Sequence, residues 1–229
     1  MREKSLSQWQ NPMGILLGVL VLGSIWGMSE ATIGGGLHAA GFPYRSGLLT
    51  GIGIGIMGAA LIIYKRPAML LGIGSVAVLV KLLAVPILGV PIMCKANSSI
   101  AVLLEALALT IVGIMLVRQM DKNVYRRMGC GALAATLGAI GFFFIGMQVA
   151  PCNYLLGFKG NLGGFLVSEG LVWAAFSAIL LPAGYLVGVK LKRKTLPWLV
   201  RRMPLYYATS VSIIAFCWGI SAVTISWGL

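Results

Sequence analysis

The sequence predicts an all-α integral membrane protein, a bundle of about seven transmembrane helices forming one domain over residues 1–229. Three observations carry this reading. Hydrophobic residues make up 59% of the chain and charged residues only 10%, with a mean hydropathy of +0.95. A soluble domain carries about 25% charged residues, so there is too little polar surface here to wrap a water-soluble core. The apolar residues also fall into runs of roughly 20, the length at which a helix crosses about 30 Å of hydrocarbon. Finally, the basic residues alternate between the two sides of these runs. A soluble enzyme, a disordered tail and a secreted disulfide scaffold are excluded.

The first run, 13–35, is too long for the core of a cleavable signal and lacks a small-residue cleavage site, so it stays as a span. The second, 46–63, carries small residues one turn apart at Gly47, Gly51, Gly55 and Ala59. The third is 67–88, the fourth 98–117 and the fifth 129–150. The sixth, 162–189, repeats the small-residue spacing at Gly170, Ala174 and Ala178, and the seventh is 206–228. Pro86, Pro91, Pro151 and Pro204 fall near span ends, where helix breaking costs least. All seven runs are too long and too uniformly apolar for the strands of a barrel. Small residues at spacing four let helix backbones approach closely. That serves packing within this chain or docking of a partner membrane subunit equally well. The second span, with the longest such face and no ionisable group, is the candidate for partner contact.

The net charge is +13. In a soluble chain it would point to nucleic acid, but here it reports topology, and no nucleic-acid partner is expected. Fourteen basic residues share one side: Arg2, Lys4, Lys65, Arg66, Arg118, Lys122, Arg126, Arg127, Lys190, Lys192, Arg193, Lys194, Arg201 and Arg202. Only Arg45, Lys95 and Lys159 lie on the other, and Lys81 lies inside a span. The positive-inside rule makes the first side cytoplasmic, the N-terminus cytoplasmic and the C-terminus external. The segment 195–205 mixes Leu196, Trp198, Leu199, Val200 and Leu205 with Arg201 and Arg202, a pattern suited to a short helix lying on anionic membrane lipid.

Five ionisable residues fall within or at the rim of the spans: Glu30, His38, Lys81, Glu105 and Glu169. A charge at mid-membrane costs about 2.5–3.5 kcal/mol even on lenient insertion scales, so each needs a reason. At 1.5 Å per residue, Glu30 and Lys81 lie roughly 25 and 21 Å from the cytoplasmic starts of their spans. Glu105 and Glu169 lie roughly 10 Å below the outer starts of theirs. All therefore sit in the outer half of the bundle and are expected to converge there on one cavity, with His38 at its mouth and Lys81 paired with a glutamate. Three Glu against one Lys favours a cationic or zwitterionic ligand, or a metal ion. Trp26 is one turn before Glu30 and Trp173 one turn after Glu169, spacings that put each pair on one helix face, where an indole stacks on a flat or cationic ligand.

Cys94 and Cys152 lie in outer connections, where they would pair as a disulfide or, with Met93, Met147 and His38, hold a soft metal. No established metal-ligand motif is present and no cofactor is expected. Gly34-Gly35-Gly36 is not a phosphate loop, because no Lys-Ser or Lys-Thr follows, so ATP use would require other subunits. No zinc-protease motif, serine–histidine arrangement or paired aspartates argue for an enzyme.

A series of spaced residues resembles one family. Trp26-Gly27-Met28-Ser29-Glu30-Ala31-Thr32-Ile33-Gly34 leads to Leu37-His38-Ala39-Ala40-Gly41-Phe42-Pro43. A glycine-rich second span follows, then Lys81-Leu82 in the third and Ile100-Ala101-Val102-Leu103-Leu104-Glu105-Ala106 in the fourth. Over about residues 14–118 this resembles the membrane-embedded S components of energy-coupling-factor transporters, in their uncharacterised branch. The resemblance implies a prokaryotic plasma-membrane protein that captures a vitamin or metal outside and hands it inward with a transmembrane T component and two external ATPase subunits. S components have six helices and two cytoplasmic termini, whereas this sequence has a seventh span. None of the family's ligand motifs matches, so no ligand residue carries over. The expectation is a substrate-capture subunit of an importer; the alternative is a structural or assembly subunit of a larger membrane complex.

Overall fold

The structure, a computed structural model, describes residues 12–149, 153–158, 160–200 and 202–228. Among these there are helices and no strand. Seven helices are long and apolar enough to cross a membrane: α1 (Pro12–Ala39), α2 (Arg45–Tyr64), α3 (Met69–Leu88), α4 (Met93–Met120), α5 (Val124–Val149), α6 (Leu162–Leu199) and α7 (Met203–Ser226). The chain is a multi-pass membrane protein. Helices α4 and α5 begin more than a turn before the apolar runs that predicted them, because backbone hydrogen bonding continues through Lys95, Asn97 and Ser98 and through Arg126 and Arg127. Hydropathy marks the part of a helix that lies in hydrocarbon, not the helix.

Two proline positions shape the backbone. Pro86 offers no N–H to the Leu82 carbonyl, and α3 breaks at Leu83 between Met69–Leu82 and Ala84–Leu88. Gly89 then ends it in the left-handed region at φ 63°. In α6 the turn Leu191–Thr195 is a π turn, closed by the Leu196 N–H on the Leu191 carbonyl. Pro197, the next residue, has no N–H to place. This corrects the expectation of a separate surface helix over 195–205. The π turn carries α6 unbroken through Lys192, Arg193 and Lys194 to Leu199, and α7 starts at Met203 with Pro204 in its first turn. At 38 residues α6 is about 57 Å long, well beyond the hydrocarbon thickness.

Helices α1, α3, α4, α5, α6 and α2 pack in that order into a closed ring, and α2 also touches α4 across it. Among the seven, α2 is the most buried and α7 the least. Helix α7 lies outside the ring against α1 and the end of α3, where the Trp218 indole N–H donates to the Ser24 hydroxyl at 3.0 Å.

The closest approach is between α2 and α6. A Cβ added to Gly184 would lie 1.8 Å from the Gly55 carbonyl oxygen, one on Gly188 2.8 Å from the Ala59 oxygen, and one on Gly47 2.6 Å from Val172. The small-residue face of α2 is thus filled by α6 of the same chain, which corrects its candidacy as a contact for a partner subunit. Gly23 and Gly27 likewise seat α1 on Ile73, Val76, Ala77 and Val80 of α3.

One end of the bundle is tied by an ion pair between Lys65 and Asp121 at 2.6 Å. The Tyr185 hydroxyl also donates to Asp121. The Arg127 guanidinium lies 4.1 Å over the Tyr185 ring and donates to the Met120 carbonyl at 2.7 Å. Partial burial opposes ionisation of Asp121, but the hydrogen bonds from Lys65 and Tyr185 outweigh it and hold this carboxyl below its ordinary range. The cluster joins the α2–α3 and α4–α5 connections to α6.

Replacing Gly184 by Ala should force α2 and α6 apart and cost about 1–3 kcal/mol or more. Replacing Gly36, whose added Cβ would meet nothing within 4 Å, should be neutral or slightly stabilising. Thermal unfolding of the two variants in detergent distinguishes them, and equal losses would contradict the packing described.

Candidate functional site

At the end of the bundle opposite the Lys65–Asp121 cluster, a cavity of about 960 Å³ opens between the helices. All seven spans line it. Glu30 and His38 come from α1, Thr50 from α2, Lys81 from α3, Glu105 from α4, Phe142 from α5, Glu169 and Trp173 from α6, and Ile225 from α7. The connection between α1 and α2 and the first turn of α4 form its mouth, through Phe42, Pro43, Arg45, Cys94 and Lys95.

Each acidic side chain on the lining has a partner from another helix. Lys81 donates to Glu30 at 2.6 Å in an ion pair whose side chains are 17% and 7% exposed. The Thr50 hydroxyl donates to Glu105 Oε1 at 2.8 Å. The Ser46 hydroxyl donates to Glu169 Oε2 at 2.8 Å. At the mouth Arg45 donates to Nδ1 of His38. Glu105 is 4% exposed, and its second oxygen, Oε2, has no hydrogen-bond partner among the described residues. Trp173, 3% exposed, is in the same condition at its indole N–H. Its ring lies 5.7 Å from that of Phe142, tilted by 34°, and the pair makes an aromatic wall backed by Phe165. Buried polar atoms left unpaired cost about 1–3 kcal/mol each, and two of the residues that carry such atoms, Glu105 and Trp173, line this one cavity.

Six of the seven residues selected from sequence lie on this lining: Glu30, His38, Lys81, Glu105, Glu169 and Trp173. Trp26 does not. It is fully buried against α2 and α3, its indole 2.5 Å from where a Cβ on Gly53 would stand. Spacing of four aligns Trp26 with Glu30 around the helix, but it also sets Trp26 one turn, about 6 Å, deeper, below the floor of the cavity. The charge expected of the site is also corrected. Arg45 and Lys95 join Lys81 on the lining and equal the three glutamates in number. They belong to helix ends, which a count restricted to the spans leaves out.

Reasoning from sequence missed Ser46, Thr50 and Phe142. Thr50 had a signal, as the lone hydroxyl in the apolar run Gly47–Ile56. Phe142 had none, since it is one of three consecutive phenylalanines and only the packing of α5 selects it. Among the described residues no group of three His, Cys, Asp or Glu side chains is placed to hold a metal ion. Cys94 is an exposed free thiol at the mouth, and Cys152 lies outside the described residues.

The chain matches no protein-family model, no curated protein and no solved structure.

The Glu30–Lys81 pair yields a double-variant prediction. Lys81→Met alone leaves a buried carboxylate without its partner and should cost about 2–3 kcal/mol, below the usual range for a buried pair because Lys81 is partly solvated. Lys81→Met combined with Glu30→Gln should recover more than half of that loss. Unfolding of the three proteins in one detergent reads the cycle, and additive losses would mean that the two groups do not interact.

Proposed function

We propose that this protein is the substrate-capture membrane subunit of an importer, binding a small cationic or zwitterionic organic molecule in the cavity that all seven spans line. The observation that carries the reading is the cavity itself, on which Glu30, Lys81, Glu105 and Glu169 of four different helices meet. Intramembrane ionisable groups mark ligand or ion pathways by default, and the unpartnered Glu105 Oε2 leaves a place for a ligand N–H donor. With no trio of metal-ligating side chains among the described residues, an organic ligand suits the site better than a metal ion.

In this reading the end of the bundle carrying Lys65, Arg66, Lys122 and Lys190–Lys194 is cytoplasmic, the cavity faces outward and the C-terminus is external. The membrane is the prokaryotic plasma membrane. The resemblance to S components of energy-coupling-factor transporters adds a T component and ATPase subunits as partners. The closed ring of α1–α6, with α7 outside it, supports that resemblance, since S components have six helices and α7 then stands as an addition. No enzymatic role is proposed. The second reading, a structural subunit of a larger complex, draws on the internal partners of Glu30, Glu105 and Glu169. It loses support from α2, whose glycine face is occupied within the chain.

Topology is tested by single cysteines at Lys65 and Lys95 in a background with the native cysteines removed. A membrane-impermeant maleimide should label Lys95→Cys, and not Lys65→Cys, in intact cells. Labelling of both from one side would overturn the arrangement.

Function is tested by releasing small molecules from protein purified gently from its native membrane and identifying them by mass spectrometry. A cationic or zwitterionic compound should accompany the wild type in near-stoichiometric amount and be lost at least tenfold in Glu105→Gln. Absence of such a compound, with the protein held in a stoichiometric complex that lacks ATPases, would favour the structural reading.

A further inference from the structure

The cavity is charged unevenly along its depth. Its floor holds Glu105, whose Oε1 is satisfied by Thr50 while Oε2 lies buried and unpartnered. Beside it stands the Glu30–Lys81 pair, in which each charge answers the other. The mouth holds Arg45 and Lys95, with Glu169 held there by the Ser46 hydroxyl next to Arg45, and none of the three makes an ion pair among the described residues. Lys95 lies ten residues before Glu105 on α4, and Arg45 lies five before Thr50 on α2. By the helical rise these intervals are about 15 and 7.5 Å. A carboxyl group with one buried, unpartnered oxygen thus sits at the bottom, and two cations outnumber one glutamate about 10 Å above it. Between them run the faces of Phe142 and Trp173, with the Trp173 N–H unpartnered.

From this gradient we infer that the ligand is an elongated zwitterion bound in one direction, with an amine or amidine at the floor on Glu105, a flat apolar middle against Phe142 and Trp173, and an acidic group at the mouth on Arg45 and Lys95. The inference rests on the capture reading and narrows its ligand class. A purely cationic ligand would satisfy Glu105 but would have to pass an entrance where Arg45 and Lys95 outnumber Glu169 and rest beneath them. A purely anionic one would be drawn to the mouth and leave the buried Glu105 oxygen unpaired. The zwitterion answers both ends. Its amine makes a charge-assisted hydrogen bond to a carboxylate oxygen shielded from water, and its acid group finds cations that also raise its local concentration at the entrance. An acceptor atom in the middle of the ligand would take the Trp173 N–H. The Arg45–His38 contact fixes the guanidinium at the rim and leaves its remaining N–H groups for the acid.

The test uses the full chain in lipid nanodiscs and a defined probe series, ω-(4-aminomethylphenyl)alkanoates of increasing chain length. Each is compared with its carboxamide, which keeps only the amine, and its N-acetyl form, which keeps only the acid, by calorimetric titration. One chain length should bind at least tenfold more tightly than either capped form. The Arg45→Gln/Lys95→Gln double variant should bring the zwitterion down to the affinity of its carboxamide without weakening the carboxamide. Glu105→Gln should weaken both. Thermal unfolding checks that the variants are folded, and the capped probes on wild-type protein give the answer independently of any variant. If the carboxamide binds as tightly as the zwitterion and the double variant changes nothing, the oriented-zwitterion inference is overturned while the capture reading stands. If the acid-only probe binds as well as the zwitterion, or no member saturates at millimolar concentration, both are overturned.

Discussion

The backbone contact between α2 and α6 is the constraint on which the site depends. Gly55 and Gly184 meet so closely that one added methyl group would overlap a carbonyl oxygen. The approach continues along both helices from Gly47 at Val172 to Gly188 at Ala59. In hydrocarbon there is no hydrophobic force to drive helices together, so such contacts rest on van der Waals packing over smooth faces. Because α2 is seated this way, it becomes the central helix of the bundle and carries Ser46 and Thr50 into contact with Glu169 and Glu105. The two hydroxyls that donate to the two glutamates therefore stand where they do because of glycines on the same helix.

The two ends of the bundle are built on different electrostatic terms. At the basic end Asp121, the one acid there among the described residues, is engaged by Lys65 and Tyr185, and this ties three parts of the chain together. At the other end the groups are distributed over a cavity and one carboxylate oxygen stays unpaired in a buried place. A structure that needed only to neutralise its intramembrane charges would have closed this cavity around them, since unpaired buried polar atoms and open volume both cost stability. The proposed capture of a ligand would use this arrangement, since the ligand's own polar groups would complete the set.

Helix α7 adds little to this frame. It packs on α1 and the end of α3, outside the ring, and contributes Ile225 to the cavity wall. Its fixed point is the Trp218–Ser24 hydrogen bond. The contacts that close the ring of six do not involve it.

The sequence alone determined that the chain is helical and that it has seven spans, with ends that miss by up to ten residues at α6, and it singled out Glu30, Lys81, Glu105 and Glu169, which line one cavity. These follow from properties that are local in the chain, namely the length of apolar runs, the alternation of basic loops and a fixed rise per residue. Depth is legible in a sequence because it is counted along one helix. Rotation and neighbourhood are not, because they depend on which helices touch. Only the tertiary structure decided that Lys81 answers Glu30 rather than Glu105 or Glu169, that Trp26 lies beneath the cavity while Trp173 lines it, and that the glycine face of α2 is spent on α6. It also brought Arg45 and Lys95, outside every predicted span, over the mouth. The same small-residue pattern serves an internal or an external partner equally well, and only the packing of all seven helices selects between them.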